Sequence, residues 1–209
     1  MKKIFFTIVL TITSFANAQL KGSGKIVTKT FEYKNFDKVY FEDLDGKIEV
    51  GIGKPWSDLI TIDDNLERLL HLSENISENE LKIQFKGNKD NQMYVENTTL
   101  KIKITMPEAS FIKNSGNSNL IVQNISGHYI KLENTGNGES NISGAVDVLD
   151  INKIENGTVD ASNLNAKKVD LKSMGNGDLT VNVSEKLSAR LIGNGDIMNA
   201  GKAKFDFSS

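Results

Sequence analysis

The second half of the chain alternates between hydrophobic and polar residues in short segments separated by turns rich in Gly and Asn. The segment Asp178-Leu-Thr-Val-Asn-Val is one example. Alternation with a period of two indicates β-strands with one buried face. Each turn contains a central asparagine: Asn117, Asn137, Asn156, Asn176 and Asn194. Their separations are 20, 19, 20 and 18 residues, and a period of about twenty residues predicts a repeat architecture.

Two arrangements of these repeats fit the chemistry of the turns. Gly reaches positive φ without steric cost and Asn tolerates the left-handed region, so each turn suits a hairpin of antiparallel strands. It equally suits a coil whose turns stack on one another. The aligned positions are chemically alike from repeat to repeat, which stacking explains directly. We therefore predict an all-β fold, a right-handed parallel β-solenoid (β-helix) of about five coils, with the five asparagines hydrogen-bonded along its axis as a turn ladder.

The first half of the chain predicts a less regular β section. The turn signals Asp45-Gly46 and Gly53-Lys54-Pro55 punctuate its strand-like runs. One short helix is predicted over residues 65–72, where Asn65 is a suitable N-cap and leucines form a mostly apolar side. The strand-like runs are residues 25–33, 38–42, 47–52, 59–63, 80–86 and 99–106.

The first eighteen residues have the features of an export signal. Lys2-Lys3 precede an apolar stretch from Ile4 to Ile12, and Ala16-Asn-Ala is a small-x-small cleavage site. We predict cleavage before Gln19 and divide the chain into a signal peptide (1–18), an N-terminal β section (19–107) and the repeats (108–209). No apolar stretch is long enough to span a membrane. The predicted location is the periplasm or the cell surface.

The charge and the absence of cysteine exclude several classes of protein. The net charge of the whole chain is −2. Without the two lysines of the signal, 23 basic residues face 27 acidic ones, a net charge of −4. A mildly acidic chain without a basic cluster in its sequence argues against nucleic acid and against adsorption to anionic lipid. With no cysteine, disulfides, thiolate metal sites and a lipid-modified cysteine are excluded.

A polar column follows the turn asparagines at a distance of two residues. If the repeats stack about 4.8 Å apart, neighbouring carboxylates in this column offer oxygen ligands for Ca²⁺. A pair of carboxylates is also what a glycosidase needs. The plain alternative is that acidic residues suit and solubilise exposed turns. The column consists of Asn119, Glu139, Thr158, Asp178 and Asp196. Its acidic members Glu139, Asp178 and Asp196 are the candidate ligands of calcium, the one cofactor that the sequence suggests.

No catalytic constellation is evident in the sequence. The only two histidines are His71 and His128, which are far apart and have no Ser or Cys motif beside them. A Ser-His-Asp arrangement requires a base within hydrogen-bond reach of a nucleophile. Phosphate-binding loops and dinucleotide-binding motifs place their glycines at the start of a helix. The Gly-x-Gly turns of this sequence do not precede a helix, so neither motif is present. The sequence therefore predicts a protein that is not an enzyme.

The order of short motifs along the mature chain resembles that of the head GIN domain family, auto-transporter adhesins common in Bacteroidetes. The resemblance covers nearly the whole mature chain and implies a β-solenoid fold, export and an adhesin label, but no catalytic residues. The motifs that carry it, followed by the Ser-Gly-Asn and Gly-Asn-Gly turns, are Gly22-Ser-Gly-Lys-Ile-Val, Phe36-Asp-Lys-Val-Tyr-Phe, Gly46-Lys-Ile-Glu-Val-Gly-Ile-Gly, Leu59-Ile-Thr-Ile-Asp-Asp-Asn-Leu, Asn79-Glu-Leu-Lys-Ile and Leu100-Lys-Ile-Lys-Ile-Thr-Met-Pro.

These observations lead us to expect an exported, non-enzymatic protein that binds or displays at the cell envelope. A long regular flank offers an extended surface for a polysaccharide or a protein of the envelope or of a host. An exposed terminal coil also offers an edge for self-association. Two alternatives stay open at this point: a carbohydrate-active enzyme built on a β-helix and a calcium-binding structural module.

Overall fold

The computed structural model describes residues 20–86, 95–96 and 98–207. The predicted signal peptide, residues 1–18, lies outside the described residues. Nearly all regular structure is β, since the only helical elements in the described residues are the two short 3₁₀ turns Glu67–Leu69 and Ile76–Glu78. The strands of the first half are β1 (Leu20–Lys21), β2 (Ile26–Phe31), β3 (Lys38–Leu44), β4 (Lys47–Ile52), β5 (Ser57–Asp63), β6 (Leu70–Asn75), β7 (Glu80–Phe85), β8 (Val95–Glu96) and β9 (Leu100–Met106).

The strands of the repeats are longest in β13, β14 and β15 and are short again in β16 and β17. The first repeats have separate short strands, whereas the later ones have single strands of 14 to 16 residues. The predicted boundary at residue 107 lies between β9 and the first of these strands. The strands of the second half are β10 (Phe111–Gly116), β11 (Asn119–Ile125), β12 (Tyr129–Asn134), β13 (Ser140–Ile154), β14 (Val159–Met174), β15 (Leu179–Ile192), β16 (Ile197–Asn199) and β17 (Phe205–Phe207).

Fifteen of the strands belong to one open sheet with two arms that meet on β13. The first arm runs β2-β5-β9-β4-β11 and pairs with the first half of β13, where Leu120 lies opposite Ser140. The second arm runs β6-β7-β3-β10-β12 and pairs with the second half of β13, where Tyr129 lies opposite Val148. Strands β14 and β15 continue both arms, which end at β16 and β17.

The predicted right-handed parallel β-solenoid is wrong as a description of the fold, because the sheet is mixed and open. The pairs β2–β5, β5–β9 and β6–β7 are antiparallel. The repeats themselves pair in parallel, for example β10 with β12 and β13 with β14, and not as the hairpins of the alternative interpretation. Alternation of buried and exposed residues is the same in parallel and antiparallel strands, so the pattern alone did not reveal the antiparallel pairs.

The predicted short helix over residues 65–72 is also wrong. Only Glu67–Leu69 form a 3₁₀ turn, and Leu70 begins strand β6. The Asn65 side chain does not cap the turn but accepts the backbone N–H of Ser23 and donates to the Lys21 carbonyl. A helix of eight residues is marginal in water, whereas strand β6 completes an antiparallel pair with β7 in which Leu72 lies opposite Ile83.

The inward side chains of both arms form one hydrophobic cluster. Near the first half of the chain this interior is apolar, and Ile83 and Phe41 lie side by side in register with no exposure to solvent. The same register column turns polar in the repeats. After Phe41 it continues through Asn114, Asn134, Lys153 and Ser173, all of which are buried.

Each half of the chain also buries a charged group. In the first half, burial raises the pKa of Asp58 to about 6, although the hydrogen bond from the Tyr33 backbone N–H has the opposite effect and lowers the pKa. In the repeats, burial lowers the pKa of Lys153, whose ammonium nitrogen donates to the Glu155 carbonyl at 3.2 Å. Each group lies in the interior without a salt bridge to a described residue.

Candidate functional site

The five predicted turn asparagines lie along one exposed edge of the repeats. Each side-chain amide nitrogen donates to the amide oxygen of the preceding asparagine, at 3.3 Å from Asn137 to Asn117, 3.4 Å from Asn156 to Asn137, 2.9 Å from Asn176 to Asn156 and 3.2 Å from Asn194 to Asn176. The three middle asparagines of this row each donate one amide hydrogen bond and accept another. These bonds fix the register of the stacked turns.

Glycines allow the turns to approach this closely. A Cβ atom on Gly177 would lie 2.1 Å from the Gly157 carbonyl oxygen, and one on Gly195 would lie 2.3 Å from that of Gly177. Any side chain at these positions would therefore collide with the backbone of the preceding turn. The Gly-Asn-Gly sequence, which recurs in three of the turns, thus serves stacking of the turns.

Of the three acidic residues in the column, only two lie next to each other in the fold. Asp178 lies beside Asp196, and its Oδ1 atom accepts the backbone N–H of Asp196 at 2.9 Å. Glu139 is separated from this pair by Thr158, and its carboxylate accepts the Asn141 amide at 3.1 Å. Across residues 20–86, 95–96 and 98–207, no group of three or more His, Cys, Asp or Glu side chains could hold a metal ion. Calcium binding at Asp178 and Asp196 stays a prediction.

His71 lies in a strand, whereas His128 lies in the bend before β12. His71 is part of β6, at a position opposite Gln84. His128 approaches Asp147, with 2.8 Å between Nδ1 and Oδ2, while Lys167 lies 2.6 Å from the other carboxylate oxygen. The Lys167 ammonium first, and His128 second, hold the pKa of Asp147 below its ordinary value. This cluster joins three repeats at the corner between the arms and brings no nucleophile to either histidine.

The side chains best placed to bind a ligand lie on the solvent side of the second arm. This surface was not predicted from the sequence. We call this surface the outer face. Its members recur eight, six and four residues before the turn asparagines, on the side of the strands opposite to the buried leucines and isoleucines. On β12 they are Tyr129, Lys131 and Glu133; on β13, Val148, Asp150 and Asn152; on β14, Lys168, Asp170 and Lys172; and on β15, Lys186, Ser188 and Arg190.

The end of the outer face nearest the first half is aromatic. The rings of Tyr40 and Phe111 meet edge to face, with 5.1 Å between their centroids, and the Lys131 ammonium lies 5.1 Å above the Phe111 ring. Tyr129 is 42% exposed and donates its hydroxyl to Asp150 at 2.7 Å. Burial first, and Asp150 second, raise the pKa of Tyr129 to about 12, so this hydroxyl stays protonated at neutral pH.

A shallow depression lies at the centre of the outer face. Its volume is about 160 Å³. Carboxylate, amide and ammonium groups border it, and the aromatic part of the face adjoins it through the bond from Tyr129 to Asp150. Such a surface offers both hydrogen-bond acceptors and donors around a flat floor. The lining residues are Lys131, Asp150, Ile151, Asn152, Asp170 and Lys172.

Comparison with known proteins shows where this architecture occurs. The family model described as "Putative auto-transporter adhesin, head GIN domain" matches residues 2–203. The chain belongs to the head GIN domain family. This membership confirms the resemblance drawn from the order of the short motifs. It also supports the adhesin label at the level of the family. No curated protein matches the chain.

Solved structures with the head GIN domain's fold include proteins from two genera. A protein described as a "putative adhesin" from Bacteroides fragilis NCTC 9343 is 21% identical, with a TM-score of 0.60, and the match covers 86% of this chain and 99% of that one. A "putative lipid binding protein" from Parabacteroides distasonis ATCC 8503 is 18% identical, with a TM-score of 0.54, covering 91% and 100%. At these identities the likeness shows the fold alone. The described residues contain no helix that is long and apolar enough to cross a membrane.

Proposed function

We propose that this head GIN domain is an exported, non-enzymatic binding module of the cell envelope that holds a polysaccharide against the aromatic part of its outer face. The observation that carries the proposal is the regular grid of polar and aromatic side chains on the solvent side of the sheet around Tyr129 and Asp150. Aromatic rings pack against the apolar faces of sugars, while charged and amide groups bond to sugar hydroxyls. The adhesin label of the family agrees with a binding role.

A polymer suits this face better than a small molecule. The depression of about 160 Å³ is open and shallow, whereas sites for drug-sized ligands are enclosed cavities of about 300–1,000 Å³. The strands repeat about every 4.8 Å across the face, so equivalent side chains meet successive units of an extended ligand. Many weak contacts of the same kind then add up along the polymer.

The carbohydrate-active enzyme, our alternative, has less support. Asp150 and Asp170 lie opposite each other on adjacent strands, which is the kind of pair that a glycosidase uses. The depression they share is open to solvent, and Asp150 already accepts the Tyr129 hydroxyl. Neither carboxylate is enclosed in the water-poor cleft that a general acid needs. We therefore assign both groups to ligand binding.

Affinity electrophoresis against a panel of neutral and acidic polysaccharides tests the proposal. We expect at least one polymer to retard the protein, and Tyr129→Ala and Asp150→Asn to weaken that retardation about tenfold or more. The matched control is Asp160→Asn, which removes an equivalent carboxylate from the solvent side of the first arm. Equal retardation of all three variants and the parent protein would refute the proposed face. Release of reducing sugar by the parent protein would refute the non-enzymatic role.

A further inference from the structure

The part of the outer face formed by β14 and β15 carries four exposed cations in a compact array. Lys168 lies directly opposite Lys186, and Lys172 lies directly opposite Arg190. Partners on adjacent strands are about 4.8 Å apart. Like charges placed directly opposite each other destabilise a sheet. Two such pairs side by side are therefore unfavourable unless something else neutralises them.

The described residues do not neutralise this array. None of the four cations forms a salt bridge with a described residue. Asp170 lies between Lys168 and Lys172 along β14 but is within salt-bridge distance of neither. Its partners on the adjacent strands are Asp150 and Ser188, and Asp206 of β17 lies opposite Ser188. The part formed by β14 and β15 carries a net charge of +3, which the flanking Asp150 and Asp206 reduce to +1, on a chain whose net charge is −2. The array is thus complementary to an anionic partner.

A row of exposed apolar side chains borders the same array. Met174 and Ile192 lie opposite each other, two residues beyond Lys172 and Arg190 on the same side of the sheet. They are 49% and 47% exposed. Ile154 continues the row on β13, opposite Met174. Exposed apolar side chains that lie together mark a contact surface, and the exposed pair Met174 and Ile192 lies at the edge of the cations, with the half-buried Ile154 beside it.

From these two observations we infer that the β14–β15 part of the outer face docks on a membrane surface that contains anionic lipid. The cations face the phosphate groups, and Met174 and Ile192 enter the interfacial region beside them. Each cation near an anionic membrane surface contributes to binding, and apolar side chains add to it when they leave water. A soluble acidic polysaccharide would match the cations but would leave the apolar row in water.

The inference departs from the expectation drawn from net charge. The sequence shows no basic cluster, because the four cations are separated by up to 22 residues in the chain. The register of β14 and β15 brings them together. The array shares Asp170 and Lys172 with the depression of the proposed polysaccharide site, but the aromatic residues of that site belong to β3, β10 and β12.

Vesicle co-sedimentation tests the inference with the chain from Gln19, which contains every described residue. The probes are vesicles of phosphatidylcholine alone and vesicles with equal parts of phosphatidylglycerol and phosphatidylcholine. We expect binding to the mixed vesicles only, weakened by high salt because the charges are exposed. The variant Lys172→Gln/Arg190→Gln should bind at least tenfold more weakly, since each lost cation reduces partitioning about fivefold.

Two further variants separate the possible causes. Lys101→Gln/Lys103→Gln removes two exposed lysines from β9 in the first arm and should bind as the parent protein does. Met174→Ser/Ile192→Ser keeps all charges and should bind about tenfold more weakly. Thermal melts verify that each variant is folded.

Three results would overturn the inference. The first is no binding to the mixed vesicles, and the second is an equal loss of binding in the Lys101/Lys103 control. The third is unchanged vesicle binding by Met174→Ser/Ile192→Ser together with tight binding of dextran sulfate that depends on Lys172 and Arg190. That third result would assign the array to a soluble anionic polymer instead.

Discussion

The interior of the first half of the sheet and the interior of the repeats are filled by different kinds of side chain. In the first half, large apolar side chains such as Phe41 and Ile83 fill the interior, and antiparallel pairs complete both arms. In the repeats, the same interior column contains Asn134, Lys153 and Ser173, and the turns are held by amide hydrogen bonds and by close backbone contacts at glycines.

The difference shows what each region tolerates. An interior filled by volume responds mainly to the size of its side chains. In an interior with polar groups and stacked turns, the stability of the fold depends on changes of one or a few atoms. An added methyl group has no space there, and a buried charge has few partners. We therefore expect the two regions to respond oppositely to matched substitutions.

The largest effect is expected from Gly177→Ala. Its Cβ atom would lie 2.1 Å from the Gly157 carbonyl oxygen, and this backbone atom belongs to a stacked turn that cannot move alone. We expect the free energy of unfolding in urea to fall by about 3 kcal/mol or more. Gly51→Ala in β4 is the control, since its Cβ atom would make ordinary contacts, at 3.4 Å with the Thr105 Cγ2 atom and at 4.0 Å with the Ile104 carbonyl oxygen. Equal losses in the two variants would contradict the difference between the regions.

Replacement of the buried lysine, Lys153→Met, is expected to stabilise the protein by about 1–2 kcal/mol at neutral pH, because a buried ammonium with one carbonyl partner is costly. The pKa of Lys153 is lowered in the folded state, so the unfolded chain binds more protons and the parent protein gains stability as pH rises towards 10.5. The advantage of the variant should therefore shrink between pH 7 and 10.5. Urea denaturation at several pH values measures it, and a constant or growing advantage would contradict the explanation.

Asp58→Asn should show the opposite pH dependence in the first half. The pKa of Asp58 is raised to about 6, so the parent protein is most stable with this group protonated and loses stability as pH rises through about 6. The asparagine stays neutral and can still accept the Tyr33 N–H. We expect the variant to gain about 1–2 kcal/mol at pH 8 and nothing at pH 4. A gain of the same size at both pH values would disprove a role for this ionisation.

The smallest effect is expected at the exposed turn edge. Asp178→Ala removes the acceptor of the Asp196 N–H, which water replaces, so stability should fall by about 0.5 kcal/mol. Thermal melts with millimolar Ca²⁺ and with chelator test the calcium prediction, because without a metal site each protein has the same midpoint in both conditions. A midpoint that rises with Ca²⁺ in the parent protein but not in the variant would establish the calcium site and make this edge a metal centre.

The elements that sequence reasoning predicted well are those with local chemical causes. The strand β4 was predicted at its observed bounds, Lys47–Ile52, because alternation and the flanking glycines are local signals. The predicted helix failed because leucines at positions 66, 69, 70 and 72 suit a helix or a strand, and the pairing of β6 with β7 decided between them. The antiparallel pairs of the first half were not predicted for the same reason, since strand direction depends on partners distant in the chain.

The outer face could have been found from the repeats with one further step. Lys168 and Lys186 both lie eight residues before a turn asparagine, and Lys172 and Arg190 both lie four before one. Aligning those positions would have placed like charges together. Lys153 could not have been placed by pattern, because a lysine at an inward position contradicts the alternation that defines the strand. Its burial follows from the stacking of the neighbouring turns.

The long pairing of β13 with β14, from Ser140 opposite Val159 to Ile154 opposite Met174, makes the molecule mechanically anisotropic. Backbone hydrogen bonds between these parallel strands run across the sheet, evenly spaced and slanted relative to the strands. A load along the strands shears the whole row of bonds at once, whereas a load across the strands opens the sheet one row at a time. The direction of attachment thus sets the force that this domain withstands.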